Sequence, residues 1–206
     1  MLIENLNEYI TNRKGAIHVG AYEAEERQWY YEMGIKPVYY IEANPEKSKI
    51  IQDNIRPYEN QYFIHQAISD VDGETDFYVS SNGQSSSLLF PNLRPEIYDN
   101  QSHTISDVIK VKTRPLKDVV NLFGIDMGNV NFLSIDTEGS ELNILKSLGG
   151  LINKLEYIVC EYHTHENYFG CPMVEDLISY VKQFGFEEVV RADSGEEWGD
   201  ILFKRK

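Results

Sequence analysis

Short apolar runs of strand length alternate with amphipathic stretches of helix length along most of this 206-residue chain. Consecutive parallel strands need a crossover of a dozen or more residues, and a helix is the usual filler. The rhythm therefore predicts an α/β fold with a mostly parallel sheet and helices on both faces. Residues 16–20, 38–42, 62–66, 132–136 and 157–162 read as strands. Residues 23–33, 116–122, 140–148 and 174–184 read as helices, three of them stopped by Gly34, Gly149-Gly150 and Gly185. Pro45 suits the first turn of a further helix. Residues 187–191 and 198–203 read as an antiparallel hairpin closing the sheet, and 1–6 as a short amphipathic helix. No internal repeat or domain boundary is visible, so one domain over 1–206 is expected, with a loop-rich insertion at about 74–113 flanked by strands at 75–79 and 108–112. The polar run 80–87 within it reads either as a flexible loop or as a lid over a site.

The formal net charge of −14 repels phosphate backbones, so nucleic acid is not an expected partner. No apolar run is long enough to span a membrane, and the start does not resemble a signal peptide. Cys160 and Cys171 do not make a disulfide scaffold, and Cys160 sits in an apolar strand pattern, so a reducing, cytoplasmic setting is expected.

Two separated segments point to one rim. Gly20-Ala21 follows the first strand, where a small turn lets backbone N–H groups approach a ligand. Glu42 ends the second strand 22 residues later, a spacing at which a carboxylate accepts from both ribose hydroxyls of a nucleoside. A full Gly-x-Gly-x-x-Gly is absent, and Glu25 and Glu26 would oppose a pyrophosphate. A nucleoside without phosphates fits better, and the positive sulfonium of S-adenosylmethionine suits an acidic pocket. Glu23, Glu25 and Glu26 read first as charges stabilising a helix N-terminus.

The other segment is Asp136-Thr137-Glu138-Gly139-Ser140-Glu141, after the fourth strand. Glu161 and His163 lie on one side of the next strand by alternation. Together with Asp136 and Glu138 they offer donors for a divalent metal, or a general base for a hydroxyl acceptor. The base reading is preferred, because acidic rims need not hold metal; the bland reading is helix-start charge and a polar strand end. His103 and His165 read as loop residues. Trp29, Tyr30 and Tyr31 read as core packing, whereas Tyr162, Tyr168 and Phe169 either wall an acceptor pocket or pack on the sheet.

These segments, with His18-Val19-Gly20-Ala21-Tyr22, Ile41-Glu42-Ala43-Asn44-Pro45, His65-Gln66-Ala67-Ile68-Ser69-Asp70, Ser85-Ser86-Ser87-Leu88 and Ile135 to Glu141 with Leu145, resemble FkbM-type methyltransferases. The resemblance runs from about Ala16 to the C-terminus. It implies a Rossmann-like class I methyltransferase with a seven-stranded sheet and S-adenosylmethionine as cofactor. It also implies that Gly20, Ala21 and Tyr22 border the methionine part, Glu42 holds the ribose, Gln66, Ala67 and Ile68 flank the adenine, and Asp136 faces the methyl and the acceptor. Ser85 belongs to the same cofactor set. Relatives often carry Asp where this chain has His18, and Asn where it has Tyr22; Glu25 can take the acidic role through water.

The expected activity is O-methyl transfer to a small-molecule or sugar hydroxyl, with Asp136 or His163 as base and Glu138 and Glu161 orienting the acceptor or a metal. Two alternatives stay open: a binding module that lost transfer, and a metal-dependent hydrolase built on Asp136, Glu138, Glu161 and His163.

Overall fold

The computed structural model of the protein describes residues 2–92, 104–194 and 197–206. His103 and the stretch 93–103 of the insertion lie outside the described residues.

A seven-stranded sheet runs through the molecule. In chain order its strands are β1 (Gly15–Val19), β2 (Val38–Glu42), β3 (Gln61–His65), β7 (Val130–Ile135), β8 (Tyr157–His163), β9 (Phe186–Asp193) and β10 (Trp198–Arg205). Their spatial order is β3-β2-β1-β7-β8-β10-β9. The first five are parallel, and β10 pairs antiparallel with both β8 and β9, as the hairpin reading expects. A second sheet joins β4 (Ala67–Ile68), just before the insertion, to β5 (Gly73–Ser80) and β6 (Ile105–Arg114) at its two ends, in the order β4-β6-β5.

Alternation along the central strands sorts side chains into two cores. Ile17, Val19, Leu133, Ile135 and Ile158 face one layer, filled by Leu116 and Val119 of α4 (Leu116–Leu122), Ile144 and Leu145 of α5 (Glu141–Ser147) and Leu177 and Val181 of α6 (Val174–Lys182). Ala16, Phe132, Tyr157 and Val159 face the other, filled by Leu6 of α1 (Leu6–Tyr9), Tyr30 of α2 (Arg27–Glu32), and Ile51 and Ile55 of α3 (Ser48–Ile55). Asn44 caps the start of the α3 segment by accepting from Glu46 N–H at 3.0 Å, and Pro45 opens a single 3₁₀ turn before α3. Asp176 caps α6 by accepting from Met173 N–H at 3.0 Å.

Several sequence expectations change. The helix expected over 23–33 begins only at Arg27, because Tyr22 and Ala24 take left-handed φ values of 47° and 56° and turn the chain twice first. Glu23, Glu25 and Glu26 therefore do not serve its first turn. The N-terminal helix covers Leu6–Tyr9 rather than 1–6. Trp29 and Tyr30 pack inside as expected, but Tyr31 is exposed and meets Tyr58 edge-on.

Candidate active site

The strand order reverses between β1 and β7, since the chain first walks outward to β3 and then returns to β7. Ligands of open α/β sheets bind at the carboxyl ends of the strands beside such a switch. Gly20 and Asp136 leave β1 and β7 there, and Asp136 N–H donates to the Val19 carbonyl at 3.0 Å. A Cβ on Gly20 would lie 1.6 Å from the Asp136 carbonyl oxygen, and Gly20 has φ +81°. Only glycine allows the two segments to meet so closely.

The turn does not present the backbone donors expected of it. Gly20 and Ala21 N–H both donate to the Ile41 carbonyl, at 3.0 and 3.2 Å. Tyr22 N–H goes to Glu42 Oε2 at 2.9 Å, and Asn44 N–H to Glu42 Oε1 at 2.7 Å. The donors thus brace Glu42 instead of facing a ligand. Burial pushes the Glu42 carboxyl up, and these N–H bonds pull it back. A carboxylate has about four lone-pair positions, so roughly two remain, one on each oxygen, to accept from a diol.

Above this floor opens a cavity of about 370 Å³. Glu25, Glu26, Glu42, Asp136, Glu138, Glu161 and Asp200 line it, seven carboxylates, with no lysine or arginine among the described lining residues. Nearby Lys47 is committed to Glu23 at 2.7 Å and lies 3.9 Å over the Tyr22 ring. Such a cavity favours a cation and disfavours an anion. Ile41, Ala43, Ile68, Phe77 and Leu88 supply an apolar wall at one side.

The carboxylates lift one another. Asp136 opens to the cavity, yet its crowded surroundings strip water and, with Glu138, Asp200 and Glu141 nearby, hold it well above the usual carboxylate range. Desolvation first, then Glu138 and Asp136, do the same to Glu161. Glu138 is pushed up to about 7 by burial and by Glu141, although the Tyr168 hydroxyl, 2.7 Å from its Oε2, and Ser85 oppose the shift. Glu138 itself sits at φ 57°, and Gly139 follows at φ +101°, where a Cβ would come within 2.8 Å of Cys171 Cβ. This forced turn aims Glu138 into the cavity. Glu141 faces inward instead: its Oε1 accepts from Thr137 N–H, the Thr137 hydroxyl and Gly139 N–H.

His18 is buried against Tyr30, whose hydroxyl lies 3.3 Å from Nδ1, and Glu26 lies 3.9 Å away. Burial lowers its pKa more than Glu26 raises it, so its imidazole stays neutral at neutral pH. His163 is likewise lowered by burial.

Of the residues singled out from the sequence, His18, Gly20, Ala21, Tyr22, Glu25, Glu42, Gln66, Ile68, Ser85, Asp136, Glu138 and Glu161 all line the cavity. Ala67 does not: its methyl packs with Phe77 and Val111 in the insertion. His163 does not either; it lies beside Glu161, with Nε2 3.7 Å from Glu161 Oε2. Tyr168 reaches the site through Glu138, whereas Tyr162 bonds Asp193 on the outer hairpin and Phe169 stacks on exposed Phe90. The 80–87 run is a wall of the cavity, not a free linker: Asn82 Oδ1 accepts from Gln84 and Ser85 N–H at 3.0 Å each, and Ser87 Oγ donates to the Glu138 carbonyl at 2.7 Å. Asp200 escaped the sequence reading. It stands opposite Glu161 in the β8–β10 ladder, a register only the folded sheet reveals.

The pattern of the Methyltransferase FkbM domain family matches residues 18–188. The 2-O-methyltransferase NoeI of Sinorhizobium fredii (strain NBRC 101917 / NGR234) is 24% identical over 174 residues, covering 81% of this chain and 69% of that protein. The fold is similar to that of M. capricolum TrmK in complex with S-adenosyl-homocysteine, with TM-score 0.55 and 13% identity over 100% of this chain and 70% of that one. It is also similar to magnesium protoporphyrin IX methyltransferase (ChlM) from Synechocystis PCC 6803 with bound SAH, with TM-score 0.53 and 7% identity over 98% of this chain and 78% of that one. The sheet described above is thus the Rossmann-like class I methyltransferase sheet.

Proposed function

The chain belongs to the FkbM methyltransferase family, and from that premise we propose that it methylates a hydroxyl oxygen of a small molecule or sugar, with S-adenosylmethionine as donor. The observation that carries the donor is the cavity at the β1/β7 switch, lined by seven carboxylates and no lysine or arginine among the described residues. S-adenosylmethionine supplies a methyl group on a positive sulfur, which keeps the C–S electron pair and leaves as S-adenosylhomocysteine when the acceptor oxygen attacks. In this reading Glu42 accepts from the ribose hydroxyls with its two remaining lone-pair positions. Gln66, Ile68, Phe77 and Leu88 flank the adenine. Gly20, Ala21 and Tyr22 border the methionine part, and Glu25 and Glu26 lie within reach of its amino group, replacing an acid at the His18 position.

Methyl transfer is an in-line displacement, so the protein's main task is to hold donor and acceptor close and aligned. Asp136 is assigned as the base that takes the acceptor's proton, because it leaves β7 at the switch point and faces the cavity. Glu138 and Glu161 orient the acceptor. The resemblance to a 2-O-methyltransferase supports oxygen as the atom methylated. Transfer of label from methyl-labelled S-adenosylmethionine to a panel of sugars and small alcohols tests this. Label on oxygen that Asp136→Asn abolishes is the expected result. Label on nitrogen, or an Asp136→Asn variant with full activity, overturns it.

A further inference from the structure

Glu161 Oε2 and His163 Nε2 are buried and have no hydrogen-bond partner among the described residues. The two residues are 5% and 2% exposed, and the two atoms lie 3.7 Å apart, beyond hydrogen-bond reach. Buried polar atoms left without partners are uncommon, and two that face each other across a gap call for an occupant. A carboxylate oxygen of Glu138 completes the set: one donor atom each from Glu138, Glu161 and His163 lies within 4.8 Å of the others. Donors bound to one ion at about 2.1 Å are separated by no more than about 4.2 Å, so only small side-chain shifts would draw all three onto one centre.

We propose that Glu138, Glu161 and His163 hold a first-row divalent cation such as Mn²⁺ or Zn²⁺ at the floor of the cavity. An imidazole beside two carboxylates suits these ions better than Mg²⁺ or Ca²⁺, which prefer all-oxygen sites. The supporting groups are in place. Tyr168 hydroxyl donates to Glu138 Oε2 at 2.7 Å, and the Asn167 amide nitrogen, which exchanges with its oxygen on a flip of about 180°, lies 3.2 Å from His163 Nδ1. With the oxygen of that amide turned to the ring, Nδ1 carries the proton and Nε2 offers its lone pair to the ion. A divalent ion also offsets the mutual repulsion of the acidic floor. Glu138 and Glu161 line the cavity and His163 lies behind them, so the open coordination positions face the space where an acceptor would bind. On the methyl-transfer reading, the ion would hold the acceptor hydroxyl and acidify it, while Asp136 remains the proton acceptor. Binding of the ion itself does not depend on that reading.

The test uses the full chain, stripped with EDTA and exchanged into metal-free buffer. Binding of Mn²⁺ is followed by the loss of the free-ion electron paramagnetic resonance signal, and S-adenosylhomocysteine binding is measured on the same samples by calorimetry. One saturable Mn²⁺ per chain is expected, weakened about tenfold or more in Glu161→Gln and, separately, in His163→Gln. Retained S-adenosylhomocysteine binding identifies a variant as folded. Should either variant fail to fold, Glu138→Gln, on the open side of the site, gives the same readout. No saturable binding by the wild type up to about 1 mM Mn²⁺ overturns the proposal and leaves a bridging water between Glu161 and His163. Equal Mn²⁺ affinity in wild type and folded variants overturns it too. A wild type that binds S-adenosylhomocysteine but not Mn²⁺ refutes the ion alone, and the converse refutes the donor reading alone.

Discussion

Replacing Glu141 with alanine removes the acceptor that holds the turn between β7 and α5. Glu141 is fully buried, and its Oε1 accepts from Thr137 N–H at 3.0 Å, the Thr137 hydroxyl at 2.9 Å and Gly139 N–H at 3.3 Å. A hydrogen bond to a charged group contributes about 1.5–3 kcal/mol, and a buried donor left unmade costs about 1–3 kcal/mol. These are two views of one loss, and they are not added. The Thr137 hydroxyl can rotate toward solvent and the Gly139 bond is long, so the three together come to about 3–5 kcal/mol. For a chain of this length each kcal/mol moves Tm by about 2–4 °C, so Glu141→Ala should melt about 6–20 °C lower. Glu141→Gln keeps a carbonyl oxygen on the same donors and places an amide where Oε2 has no partner, so it should lose only about 1–2 kcal/mol. Thermal melts followed by circular dichroism at fixed pH and ionic strength measure both. An alanine variant within about 1 kcal/mol of wild type refutes the reasoning, as does a glutamine variant as damaged as the alanine one.

Gly20→Ala places a Cβ 1.6 Å from the Asp136 carbonyl oxygen at φ +81°, so it should cost about 3 kcal/mol or more and abolish S-adenosylhomocysteine binding; melts within about 1 kcal/mol of wild type contradict this. Stability in EDTA should fall as pH rises from about 6.5 to about 8. Glu138 titrates near 7 in the folded chain against an ordinary 4.5, so the folded state binds a proton that the unfolded state has released, and that stability is lost as pH rises through 7. Asp136 and Glu161 act in the same sense, whereas His18 and His163, lowered by burial, oppose it only below about their ordinary 6.5. A Tm that is flat or rising over that window contradicts the acidic floor. Tyr168→Phe removes the donor to Glu138 Oε2 and should move the Glu138 titration further up, read by ¹³C-carboxyl NMR; an unchanged titration contradicts the bond.

The parallel strands were legible as short runs rich in apolar residues and too short for a helix; β1, β7 and β8 are buried along their whole length, whereas the edge strand β3 buries only Ile64 fully. The start of α2 was not legible, because Tyr22 and Ala24 take left-handed conformations that glycine usually signals, and nothing local marks them. Glu42 was found by its spacing from Gly20, yet the roles around it were exchanged: the turn's N–H groups brace the strand end and the carboxylate instead of reaching a ligand. Asp136, Glu138 and Glu161 were visible as acids at strand ends. Asp200 joins them only through its antiparallel pairing with Glu161, and Glu26 only because the turns at Tyr22 and Ala24 bring it into the cavity beside His18. The unpaired gap between Glu161 and His163 has no sequence counterpart, since alternation puts both on one side of β8 but says nothing of their partners.

Binding of S-adenosylhomocysteine to wild type, Glu42→Gln and Glu42→Ala, measured by calorimetry, tests the donor site most directly. The account predicts one site per chain in the wild type and a loss of about tenfold to a hundredfold in Glu42→Gln, the worth of a ribose hydrogen bond to a charged acceptor. It predicts a larger loss in Glu42→Ala, which releases both Tyr22 and Asn44 N–H, where the glutamine amide can still accept from one of them. No binding by the wild type, or equal affinity in all three, would contradict it.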